Sequence, residues 1–223
     1  LDRLSEHPVR GTARRPLHEV LMPGNHFVRS LVLALGVALS LALAGCGERQ
    51  GPQFVGTDIT GADFAKDFRL TDHTGAPRSL ADFRGRVVTM FFGYTQCPDV
   101  CPTNLTAMAQ VMKELGADAK RVQVLFVTVD PERDTQSVLA QYVPQFDPTF
   151  IGLYGNAEQL RQVTQDFRII YEKRPGQTPT SYTIDHSAGT YVFDPQGRIR
   201  LYIRHGEKPE VVAADLRLLL AGK

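Results

Sequence analysis

Val87 to Phe92 is an unbroken run of branched, aromatic and long apolar side chains, Val-Val-Thr-Met-Phe-Phe relieved only by Thr89. Such a run, bounded by Gly93, predicts a strand buried on both faces, and so a sheet with helices packed above and below it. The chain then presents Cys97 and Cys101 with three residues between them, followed by Pro102. Proline lacks a backbone donor but suits the first turn of a helix. The spacing therefore predicts a tight turn over 97–100 and a helix starting close to Cys101, with Cys101 near its N-cap. Backbone N–H groups at a helix start favour anions, so both thiols are expected to ionise more easily than free cysteine. Three chemistries fit two thiols at the carboxyl end of a central strand: a redox disulfide, a soft-metal site, or a structural disulfide. A staple closing so short a loop would remove little chain entropy. The pair is also short of the four ligands of a closed zinc site.

The segments on either side extend the pattern. Phe68 and Leu70 alternate with polar neighbours as a short strand, and Asp72-His73-Thr74-Gly75 is a turn with His73 read as solvated. Leu105, Met108, Val111, Met112 and Leu115 recur at helical spacing with Gly116 as the stop. The two methionines lie on that apolar stripe and are read as core rather than as soft ligands. Val122 to Val129 is a second buried strand, and Asp134 is expected to cap a helix from Thr135 to Val143. Phe150 to Leu153 reads as a strand, and Asn156 with Gln159 as a capping box opening a helix to about Phe167. Arg168 to Tyr171 predicts a strand, followed by a polar loop from Glu172 to Ile184 with two prolines, a glycine and few apolar anchors. That composition predicts a mobile segment. Thr190 to Phe193 and Ile199 to Ile203 form a hairpin about Asp194-Pro195-Gln196-Gly197, and Pro209 opens a last helix. Strands alternating with helices define an α/β fold with a mixed central sheet, helices on both faces, and an inserted hairpin or loop.

The N-terminal part has a different character. Leu31 to Ala44 is apolar, too short to span a bilayer comfortably, and preceded by Arg29, as in a signal peptide. Leu43-Ala44-Gly45-Cys46 resembles a bacterial lipobox, which makes Cys46 the expected lipidated residue, with residues 1–45 an upstream segment and lipoprotein signal peptide. Met22 is the expected true start. The glycine-rich stretch 46–66 reads as a tether, leaving 67–223 as the folded domain. With Cys46 lipidated, Cys97 and Cys101 are the remaining thiols, in a compartment where disulfides persist. The first 45 residues hold five Arg and no Lys against three acids, which leaves 20 basic and 21 acidic side chains of the chain's 25 and 24. So neutral a domain gives no sign of nucleic-acid binding. The chain has no Gly-rich phosphate loop of the dinucleotide or P-loop type.

Phe91 to Thr103, Phe-Phe-Gly-Tyr-Thr-Gln-Cys-Pro-Asp-Val-Cys-Pro-Thr, resembles the signature of the SCO/SenC family, the copper chaperones of cytochrome c oxidase assembly. Asp82 to Gly85, Val129 to Thr135 and Asp185-His186-Ser187 match in the same order, and the similarity runs from about Phe54 to the C-terminus. Gln96 departs from the histidine that many members carry there. The resemblance implies a thioredoxin-like fold and one copper ion, Cu(I) with Cu(II) as a second state, held by Cys97, Cys101 and His186. Spacing cannot place His186 beside the thiols, since it lies 85 residues beyond Cys101; the resemblance does. Asp130 and Asp185 are candidates to orient the imidazole, Asp130 being read first as a turn or cap residue before Pro131. Two thiolates and an imidazole suit Cu(I) and leave a position open for ligand exchange. The implied role is delivery of copper to the binuclear copper A site of cytochrome c oxidase subunit II, with a periplasmic copper donor and a thiol reductant as further partners. The domain would be lipid-anchored on the periplasmic side of the cell membrane. The alternative is a periplasmic thiol-disulfide oxidoreductase in which Cys97 and Cys101 are the catalytic redox pair.

Overall fold

All seven residues of the strand Val87–Gly93 are buried, and everything else is arranged about it. The computed structural model describes residues 53–178 and 181–223. Its strands are β1 (Thr57–Asp58), β2 (Leu70–Asp72), β3 (Pro77–Arg78), β4 (Val87–Gly93), β5 (Val122–Thr128), β6 (Ile151–Tyr154), β7 (Tyr171–Pro175), β8 (Tyr182–His186), β9 (Thr190–Phe193) and β10 (Ile199–Ile203). The α-helices are α1 (Val100–Leu115), α2 (Gln136–Tyr142), α3 (Ala157–Asp166) and α4 (Pro209–Leu220). Eight strands form one mixed sheet in the order β1-β10-β9-β4-β5-β6-β2-β3, and β7 and β8 form a separate hairpin. β4, β5 and β6 run parallel, while β9 pairs antiparallel with β4.

Contacts fix the layers. Asn104 of α1 donates to Thr190 at 3.4 Å, and Thr190 is the cross-strand partner of Phe91. A Cβ on Gly152, in register with Phe126, would meet Val143 and Leu139 at the end and middle of α2. Phe91 and Phe126 are themselves partners, so α1 and α2 cover the same face. On the opposite face Phe167, just past α3, packs on Phe92 and Phe193 with ring centroids 5.3 and 6.1 Å apart. Met108 and Met112 are buried on α1, as their spacing predicts.

Several local expectations change. Asp99 occupies the N-cap of α1 and Cys101 is the second helical residue, near the N-cap as expected, while the helix itself starts one residue earlier, at Val100. Thr135 caps α2, its hydroxyl accepting from Val138 N–H. Asp134 instead turns inward, where it accepts from Thr95 N–H at 2.9 Å and from the Thr95 and Thr128 hydroxyls at 2.6 Å each. His73 is half-buried and accepts from the Gly152 N–H at 2.9 Å, joining the turn after β2 to β6. Arg168 has a left-handed backbone, φ 54°, so no strand can run through it and β7 begins at Tyr171. The polar stretch that follows is a registered hairpin, with Tyr171 opposite His186 and Pro175 opposite Tyr182.

The folded part also begins before Asp67. β1 pairs with β10, the Ala65 N–H donates to the Asp166 carbonyl at 2.8 Å, and Ala65 is buried. Val55 and Gly56 donate their N–H groups to the carboxylate of Asp215 on α4 at 2.8–3.2 Å. The apolar stretch Leu31 to Ala44, Cys46 and Met22 lie outside the described residues. No helix among the described residues is long and apolar enough to cross a membrane.

Candidate metal centre

β4 ends at Gly93 because the next element needs the space. A Cβ there would lie 2.7 Å from the Cys101 Sγ, so only a glycine lets the thiol of α1 settle against the strand end. The chain turns through Tyr94 to Cys97, whose N–H donates to the Tyr94 carbonyl at 3.3 Å. Cys97 is half-buried, Cys101 is fully buried, and both are free thiols.

The hairpin brings the third group. His186 is the last residue of β8, and its Nε2 lies 3.3 Å from the Cys101 Sγ. The ligand atoms of Cys97, Cys101 and His186 all lie within 4.8 Å of one another, close enough to share one metal ion. Phe91 and Tyr94 stand edge-on to the imidazole, with centroids 5.8 and 5.9 Å away. The Tyr94 hydroxyl also accepts the Ile184 N–H at 3.2 Å, which ties β8 to the thiol turn.

Protonation follows from these surroundings. The His186 Nδ1 lies 3.0 Å from the Ser187 carbonyl oxygen, an atom that can only accept, so Nδ1 carries the ring proton and Nε2 presents its lone pair to the thiols. Burial holds the His186 pKa below its usual value, with the Ser187 contact opposing, so the ring is neutral at pH 7. Burial pushes the Cys101 thiol well up, the reverse of what its helix-start position implies. The helix-terminus effect is worth up to about 1 kcal/mol at ordinary exposure, less than one pKa unit. Desolvation of a buried thiol reaches several units. A metal ion must therefore displace a proton from Cys101.

Neither carboxylate expected to orient the imidazole touches it. Asp130 is fully buried but accepts from the Tyr182 hydroxyl at 2.8 Å and from Arg133. Asp185 is exposed and pairs with Arg174 at 2.8 Å. For Asp185 strand alternation explains this, because successive side chains of β8 point to opposite faces and His186 faces the thiols, while Asp130 is taken up by Tyr182 and Arg133. The orienting acceptor is the Ser187 backbone carbonyl, which side-chain pattern cannot reveal. His205 is exposed. The sequence marks Gly93 only as the end of the strand and does not single out Tyr94 or Arg133, although all three fall within the quoted motifs. An open groove of about 460 Å³ runs beside the centre, lined by Tyr94, Cys97, Pro98, Asp185, His186 and Ala188 among others.

The fold defines a thioredoxin-like domain, with a convergent dithiol–imidazole group that could hold one metal ion at the end of its central strand. The chain belongs to the SCO1/SenC family, which matches residues 56–221. A mitochondrial SCO2 homolog from Bos taurus is 41% identical over 157 residues, covering 70% of this chain and 59% of that protein. The chain thus spans about three fifths of the length of that relative. Copper-bound ScoI of Bradyrhizobium japonicum is 38% identical with a TM-score of 0.63, covering 68% of this chain and 96% of that one. Apo Sco1 of Thermus thermophilus is 40% identical with a TM-score of 0.68, covering 75% and 98%.

Proposed function

We propose that the domain carries one copper ion on Cys97, Cys101 and His186 and delivers it to the binuclear copper A site of cytochrome c oxidase subunit II during assembly of the oxidase. The observation that carries this reading is the convergence of two thiols and a neutral imidazole nitrogen within 4.8 Å at the mouth of a groove. Copper in the related ScoI supports the choice of ion. Thiolate sulfur favours Cu(I), and three ligands leave room for an incoming donor to begin exchange. In this scheme copper is the cargo. The Ser187 carbonyl keeps the imidazole in the ligating tautomer, and Cys101 gives up its proton on loading. Cys97 and His186, which line the groove, are the groups an acceptor meets first. Cys46, as a lipidated residue, would hold the domain at the periplasmic side of the cell membrane.

Anaerobic Cu(I) loading of the purified protein tests this. One copper per chain is expected, with two sulfur ligands and one imidazole nitrogen by X-ray absorption. Cys97→Ser or Cys101→Ser should abolish retention, whereas Met108→Leu should leave it intact. Four sulfur ligands, or no retention by the reduced protein, would sink the reading. A thiol-disulfide oxidoreductase is the second reading, favoured by the pairing of one accessible with one buried thiol. It requires turnover of a disulfide substrate that survives His186→Ala, because dithiol exchange has no use for the imidazole.

A further inference from the structure

The loop after β5 sends Arg133 between the thiol turn and the hairpin. Its guanidinium lies 3.5 Å from the centroid of the Tyr182 ring. One nitrogen, Nη1, donates to the Gln96 side-chain oxygen at 3.1 Å and to the Tyr182 carbonyl at 3.0 Å. Nε donates to the buried Asp130, which also receives the Tyr182 hydroxyl. On the hairpin's other strand, Lys173 pairs with the neighbouring Glu132 at 2.7 Å. Gln96 immediately precedes Cys97, and Tyr182 opens the strand that ends in His186. A single side chain therefore touches both arms of the centre without reaching a ligand atom.

This matters because β8 pairs with β7 and with no strand of the eight-stranded sheet. Side-chain contacts, chiefly those of Tyr94, Tyr182 and Arg133, fasten it to the rest of the domain. We infer that Arg133 is a positioning residue for the metal centre: by bridging Gln96 and Tyr182 it holds His186 against the thiols, so that its loss releases the third ligand and leaves the dithiol in place. The inference rests on the copper reading above. It is specific to arginine, since a planar fork can stack on the ring and donate along several directions at once, whereas an ammonium cannot.

Cu(I) affinity is measured anaerobically by competition with a chromophoric chelator. Wild type, Arg133→Ala, Arg133→Lys, His186→Ala and the double variant Arg133→Ala/His186→Ala are compared. Loss of a residue that orients a metal ligand costs about ten-fold or more in affinity, and that loss is expected for both Arg133 variants. In the His186→Ala background, removing Arg133 should change affinity by less than about two-fold, because the two act along one path. X-ray absorption of loaded Arg133→Ala should keep both sulfurs and lose the imidazole nitrogen. In the metal-free protein, the His186 ring resonances should move toward those of a solvated imidazole. Because Arg133→Ala leaves buried Asp130 without its cation, Tyr182→Leu, which keeps that ion pair, is the companion variant and should shift the same way. Additive losses in the double variant, full rescue by Arg133→Lys, or an unmoved His186 signal in both Arg133→Ala and Tyr182→Leu would overturn the inference. If His186→Ala binds copper as tightly as wild type, the copper reading itself falls. If only the His186 variant is weakened, the Arg133 inference falls alone.

Discussion

At residue scale the tightest constraint in the centre is a missing side chain. A Cβ on Gly93 would lie 2.7 Å from the Cys101 Sγ, 2.8 Å from Phe91 and 3.0 Å from Phe126. All three neighbours are buried and packed, so none can swing aside into solvent. Gly93→Ala is therefore expected to cost about 1–3 kcal/mol by overpacking. It should also displace the buried thiol relative to Cys97 and His186. Thermal melts and Cu(I) retention check this: stability and retention should both fall, while alkylation of the accessible Cys97 proceeds as in wild type. An alanine variant that melts and binds as wild type does would show that the thiol has slack the packing does not suggest. The same residues show where pattern reading ends. Both cysteines, the glycine and the histidine are legible as letters, but the protonation of Cys101 is not. It depends on the depth of the helix start beneath the surface, and that depth is a property of the assembled layers.

At element scale the hairpin β7–β8 is the largest departure from the expected loop. Glu172, Lys173 and Arg174 are exposed, so the strand lacks the apolar alternation by which half-buried strands are read. Its partner shows one buried apolar side chain, Ile184. Charge substitutes for hydrophobicity here. Glu172 and Asp185 face each other in register, and Arg174 pairs with both at 2.8 Å, relieving the like-charge contact. Exposed pairs of this kind are each worth under about 1 kcal/mol, so the hairpin depends on its buried contacts, Ile184 with Tyr94 and Tyr182 with Arg133. The expectation of a mobile carrier for His186 is thereby revised. Hydrogen exchange on the metal-free protein should show 171–175 and 182–186 exchanging more slowly than Gly176 to Thr178, and faster than β4. Equal exchange of the strands and the tip would mean that the hairpin does not form without metal. By contrast β4, α1, β5 and α3 are found within a few residues of where their periodicity and caps put them, because each buries a full face or stripe.

At the scale of the whole molecule, the alternation of strands and helices along the chain is legible in the sequence and the edges of the sheet are not. β1 and β3 are two residues long, shorter than any periodic signal, and β1 lies inside the glycine-rich stretch read as tether. What holds such edges is polar. At one edge Asp215 receives the backbone of Val55 and Gly56. At the other, buried Asp72 receives the Thr74 N–H and hydroxyl, the Ala76 N–H and the Arg78 guanidinium, closing the turn between β2 and β3. Burial alone would raise the Asp72 pKa, but the Thr74 and Arg78 hydrogen bonds outweigh it and leave the carboxyl at about 2, against an ordinary 3.8. A carboxyl depressed in the folded state stabilises it above the unfolded pKa, and that contribution disappears as pH falls through the folded value. Asp134 works in the opposite sense, since burial raises its pKa and the folded state takes up its proton first, so mild acid relieves that site. The Asp72 contribution to the acid limb should therefore be lost between about pH 4 and pH 2, after the earlier loss that the buried, neutral His186 brings as pH falls below the ordinary histidine value. Asp72→Asn keeps the shape and removes the charge: its melting temperature should lie below wild type at pH 7, with the gap closing as pH falls from 4 towards 2. A gap that stays constant over that interval would mean the β2–β3 edge is held by shape and not by the carboxylate.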